Sequence, residues 1–246
     1  MGRVGVARQR LSQFKCSYGA LQNFQGTWLQ RIRERCMDQD QRKAAFFVWA
    51  RYSMSINALN ALLDPQLIPD LAVICRGCIE FDATLEAVMN DIKNAQDYLE
   101  FGKHAKARYL KILSKQGDLD RVLKRREQFE NVFDAAPEDF GRLSWHAKLG
   151  GITGLMRSLG RDYEIRVYNV LSHFAHGSVS AVEMLAGGAV NPVETLPLLV
   201  DSAYAAYLDS SQHFVRFVWE PLTTREGERC KSDFVQVMSA HSDGAV

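Results

Sequence analysis

Nothing in these 246 residues advertises a sheet, a membrane span or a strong charge of either sign. Thirty Lys and Arg stand against twenty-nine Asp and Glu, a formal +1. No global field therefore draws the chain to nucleic acid or lipid, and any such binding has to come from local patches. No stretch approaches the ~20 apolar residues of a membrane helix, and the first residues lack the uninterrupted apolar run of a signal peptide. Val6 stands where a myristoylation signal takes Ser or Thr. The expectation is a soluble cytoplasmic protein with no membrane partner.

Cysteines are few, five in number and scattered at 16, 36, 75, 78 and 230, which suits a reducing compartment better than a disulfide framework. Cys75-Arg-Gly-Cys78 has no second pair at metal-binding spacing, so these thiols read as small apolar residues. The chain has no Gly-rich phosphate loop, no Gly-x-Ser-x-Gly elbow and no acidic cluster that would hold a catalytic metal. Neither cofactor nor metal is expected. β-rich runs with hairpin turns are missing too, which leaves an all-α reading.

What is present is 47% apolar content, enough for a sizeable core, arranged with helical periodicity. Residues 1–20 read as a basic N-terminal arm, 21–221 as a single helical-bundle domain, and 222–246 as a flexible C-terminal tail. Within the bundle, helices are expected from Leu21 past Ile32, from Asp40 as N-cap to Asp64-Pro65, and from Pro69 to Met89. Two more are expected across 91–134, joined near Gly117, followed by a turn-rich stretch from Ala135 to Gly150. A short helix over Ile152–Leu159, one from Asp162 to a stop at Gly177, a continuation over Val179–Leu185, and a final helix from about Val193 to Pro221, with Pro197 in its first turn, complete the set.

The chemistry concentrates between Arg166 and Ser178. Wound at about 100° per residue, this stretch places Val167, Val170, Leu171 and Phe174 on one stripe. Arg166, Tyr168, Asn169, Ser172, His173 and His176 fall on the other. Tyr168, Ser172 and His176 stack at four-residue spacing, and Arg166 and His173 lie two turns apart. Arg76 and Glu80, four apart inside an apolar segment, are the obvious partners for this polar stripe. Basic residues also gather in 103–126 (Lys103, His104, Lys106, Arg108, Lys111, Lys115, Arg121, Lys124, Arg125 and Arg126), interleaved with Tyr98, Phe101 and Tyr109. Such a mixture suits stacking and phosphate contacts; neighbouring acids such as Asp97, Glu100, Asp118 and Asp120 favour solvated helix faces instead.

Metal-independent RNA cleavage needs one group to take the 2′-hydroxyl proton, one to protonate the leaving oxygen and a cation for the phosphorane. Histidine and arginine supply those roles. Arg166 with His173 or His176 provides the parts, Tyr168, Asn169 and Ser172 surround them, and a homodimer would complete a cleft. Alternatively, Tyr168, Ser172 and His176 form a structural ladder that satisfies Arg76 and Glu80.

Arg76-x-x-x-Glu80, Trp145 and Tyr168-x-x-x-Ser172-x-x-x-His176-Gly177-Ser178 together resemble a bacterial domain family of unknown function, near the HEPN group of helical domains. The resemblance covers about residues 40 to 215. In HEPN ribonucleases an arginine precedes a histidine by four to six intervening residues on one helix at a dimer interface. Arg166 and His173 satisfy that spacing, whereas Val167 departs from the polar residue those enzymes usually carry, Asn169 being the nearest substitute. The resemblance implies a helical protein acting on RNA, a homodimer, a toxin or phage-defence setting and a protein regulator. The alternative is a non-catalytic helical module for dimerisation, partner or nucleotide binding.

Overall fold

The computed structural model describes residues 3–115, 145–176, 183, 187, 191–220 and 224–242. Expectations for the helix after Gly117, the basic residues 121–126, Gly177, Ser178 and most of the 179–185 continuation lie outside the described residues. Eight α-helices build the rest: α1 (Arg3–Cys36), α2 (Asp40–Ala61), α3 (Ile68–Asn90), α4 (Ile92–Lys115), α5 (Gly151–Ser158), α6 (Asp162–Ala175), α7 (Pro192–Trp219) and α8 (Arg225–Ser242). Short 3-10 turns at Pro65–Leu67 and Ala147–Leu149 precede α3 and α5. Among the described residues there is no strand, and no helix is long and apolar enough to cross a membrane.

Two expectations at the chain ends are corrected. The basic arm is part of α1, a helix about 50 Å long, on which Phe14, Ser17, Leu21, Phe24, Trp28 and Ile32 recur every three or four residues and are buried. That seam is legible only with Ser17 counted as apolar, because its hydroxyl is satisfied inside the bundle: it lies 3.0 Å from the Tyr204 hydroxyl and 3.2 Å from the Val237 carbonyl, to which it donates. The tail is likewise ordered as α8, with Cys230, Phe234 and Val237 buried against the rest. Phe234 meets Phe24 edge-on at 5.0 Å between ring centres, and the Trp28 indole donates to Asp233 at 2.9 Å.

Helix boundaries follow local chemistry. Gln39 caps α2, so Asp40 sits in the first turn, where its charge complements the helix dipole. The Asp64 carboxylate accepts from the Gln66 amide at 2.9 Å and starts the turn into α3. Pro197 lies in the second turn of α7, since that helix begins at Pro192. Gly160, at φ +72°, makes the left-handed turn that reverses the chain between α5 and α6.

The core is aromatic. Trp28, Trp49, Trp219, Tyr52, Tyr204, Tyr207, Phe14, Phe214 and Phe234 are its largest fully buried side chains. Some of their polar atoms find partners within the bundle: Trp49 donates to Ser211 at 2.9 Å, and the Ser53 and Tyr207 hydroxyls meet at 2.8 Å. α3 runs through the middle, packed on α2, α4, α6 and α7. A smaller apolar cluster of Ala83, Ala87, Leu155, Met156, Ile165 and Tyr168 seats α5 and α6 on its flank.

Candidate functional site

α6 is fastened to α3 by two polar clamps with apolar packing between them. At its C-terminal half, Arg76 of α3 donates through Nε to Ser172 Oγ at 3.1 Å and through Nη2 to the Tyr168 hydroxyl. The same Nη2 lies 3.0 Å from Glu80 Oε1, to which Tyr168 also donates at 2.8 Å. Ser172 in turn donates to the Tyr168 carbonyl at 2.8 Å. Arg76 and Glu80 retain only 25% and 33% exposure, so these contacts largely replace water. Burial, the hydrogen bond to Glu80 and the Glu80 charge raise the Tyr168 pKa, against the pull of Arg76. Tyr168 thus stays a protonated donor.

The second clamp was not read from sequence. Arg161, at the start of α6, donates through Nε to Glu86 at 2.7 Å and also pairs with Glu86 and Asp82 through its two terminal nitrogens. Ser210 of α7 donates to the other Asp82 oxygen. Burial raises the Asp82 pKa above 3.8, and the attraction of Arg161 and the Ser210 hydrogen bond only partly offset it. Burial also disfavours the Arg161 charge, but Asp82 and Glu86 outweigh that and raise its pKa. The signal was available: Asp82 lies in the same apolar helix that singled out Arg76 and Glu80.

His146 lies close enough to feel the Glu80 charge. Burial lowers its pKa, with Glu80 opposing. It adjoins Trp145, whose ring packs edge-on against Tyr98 at 5.9 Å. The histidine enters from the turn before α5, so no helical spacing could have paired it with α3.

The polar stripe expected on α6 divides into two. Tyr168 and Ser172 point inward to α3, as the pairing with Arg76 and Glu80 anticipated. Arg166, Asn169 and His173 face solvent, and Val170, expected among the buried apolar residues, is 51% exposed beside them. Tyr163, one turn before Arg166, is 75% exposed. His176 caps the helix from outside, its amide donating to the Ser172 carbonyl at 3.0 Å, and its imidazole is not part of the inner ladder. The reason is angular: residues 166, 170 and 173 share one side of the helix, about half a turn from 168 and 172. Among the described residues no hydrogen bond or ion pair holds the side chains of Arg166, His173 or His176.

The inner network is therefore a set of mutually satisfied groups, and the outer face carries unengaged histidine and arginine. No curated protein and no solved structure matches the chain. Residues 42–188 match a family of unknown function, DUF5677, over more than half of the chain, and the match takes in α3 and α6 with both clamps' contributions from those helices. The chain belongs to the DUF5677 family.

Proposed function

We propose that the protein is a metal-independent endoribonuclease whose cleft forms where two copies bring their α6 faces together. The observation that carries this reading is the outward stripe of α6. Arg166 and His173 stand two turns apart and unengaged on it, beside the exposed apolar side chains of Tyr163 and Val170. A lone α6 face holds one such set; two faces related by a twofold axis hold two histidines and two arginines, as an acid, a base and a charge clamp require.

In this scheme a neutral His173 takes the 2′-hydroxyl proton while that oxygen attacks phosphorus. Arg166 holds the non-bridging oxygens as charge builds. A protonated histidine, His173 of the second copy or His176, gives its proton to the departing 5′-oxygen, leaving a 2′,3′-cyclic phosphate. Tyr168, Ser172, Arg76 and Glu80 hold α6 in place, and Asn169 borders the reacting face. The resemblance to HEPN ribonucleases supports the same reading, including a toxin or phage-defence setting under a protein regulator.

Purified protein incubated with total RNA in excess chelator tests it. Cleavage should persist in chelator and fall to background in Arg166→Ala and His173→Ala. Equal background from all three removes the reading. Tyr163 and Val170 also favour a second reading, since exposed apolar side chains on one helix face suit association without chemistry. Self-association in solution with no cleavage would support that non-catalytic module.

A further inference from the structure

A groove of about 900 Å³ lies between α2 and α4, away from the outer face of α6. Its size is that of ligand sites, ~300 to 1,000 Å³. Lys43, Phe47, Arg51 and Met54 line one wall at helical spacing along α2, and Tyr98 and Lys103 line the other from α4. Phe47 is 40% exposed and Met54 70%, so apolar surface is left open to solvent between cations. Asp40 and Glu100 also line the groove. Lys103 meets Glu100 at 3.2 Å as an exposed pair, which a stronger anion displaces at little cost. Lys43 makes no ion pair among the described residues.

The second half of α4 is basic in sequence. From Phe101 to Lys115 the backbone of α4 continues without a single Asp or Glu, while the sequence supplies Lys103, Lys106, Arg108, Lys111 and Lys115. The acids of this helix, Asp97 and Glu100, are confined to its first half. The balance that a sequence window suggested between basic and acidic residues is therefore not kept along the helix itself.

We propose that this groove forms a binding track for single-stranded RNA, with bases against Phe47 and Tyr98 and phosphates along Lys43, Arg51 and Lys103. Unpaired strands suit such a surface because every base offers a stacking face, whereas a duplex hides its bases. The choice of RNA rests on the ribonuclease reading; the track itself is a separate surface from Arg166 and His173.

The test is fluorescence anisotropy with a labelled oligouridylate of about twelve nucleotides, in chelator, using His173→Ala protein so that the strand stays intact. Three groove cations predict a slope of about −2 or steeper in log affinity against log salt. Lys43→Gln with Lys103→Gln should flatten it by about 1.4. Phe47→Ala should weaken binding roughly tenfold at fixed salt, and thermal midpoints report that these surface variants fold. Salt-insensitive binding, or variants that bind like the parent, overturns the track. A deoxyuridylate of equal length bound more tightly than the RNA overturns the assignment to RNA. Binding that follows these expectations while total RNA is left uncut removes the nuclease reading and leaves the track standing; cleavage with no effect of the groove variants does the reverse.

Discussion

Burial sets the direction in which Asp82 departs from an ordinary carboxyl. Its carboxyl is raised above 3.8 by burial, so the folded chain holds that proton more tightly than the unfolded chain does. The resulting stabilisation is fully present below the ordinary carboxylate value and is lost as pH rises through the raised one. Asp82→Asn removes the titration. In urea unfolding across that window, the stability of the parent relative to Asp82→Asn should decline as pH rises; a difference that is flat or grows with pH would contradict the burial-dominated carboxyl. His146 carries the opposite sign. Its lowered value means that its contribution is present above 6.5 and lost as pH falls through the folded value.

At the scale of elements, α8 is the sharpest departure from what the sequence conveys. Arg225 to Ser242 carries Cys230, Phe234 and Val237 among Glu, Lys, Arg and Ser, a narrow apolar stripe that does not stabilise a helix by itself. It is held by burial on α1 and by the fit of Gly227 against Trp219. A Cβ on Gly227 would stand 3.1 Å from Trp219 Cε3, closer than ordinary packing. Gly227→Ala should therefore cost about 1 kcal/mol or more despite alanine's better helix propensity, measured as a fall in the urea midpoint at unchanged slope. A stabilised variant would indicate that α8 does not dock as described.

α2, α3 and α6, by contrast, were legible because each has a broad apolar stripe and clear boundaries. So was the meeting of Arg76 and Glu80 with Tyr168 and Ser172, since polar groups in apolar helices must find one another. The division of α6 into inward and outward faces was not. Helical spacing orders residues around an axis but does not say which side meets the bundle, and the packing of Ile165, Tyr168 and Leu171 decides it.

For the molecule as a whole, the proposed chemistry demands two copies, and that demand has a quantitative consequence. Arg166→Ala and His173→Ala proteins, each inactive alone, regain a shared centre when mixed if Arg166 and His173 act across the twofold axis and His176 is the acid. Random pairing makes about half of the dimers mixed, each with one intact centre of two, so about one quarter of the parent cleavage rate should return. No recovery would place both groups within one copy, make the second copy's His173 the acid, or remove the shared cleft.

The contact between the first and last helices also governs how the chain comes into being. Trp28 and its partner Asp233 are 205 residues apart. At ~5 to 20 residues per second, a ribosome takes about 10 to 40 seconds to deliver the second after the first. Throughout that interval the part of the α1 seam that α8 covers waits open, a surface for chaperones to shield, and a message cut short before α8 leaves that part unclosed.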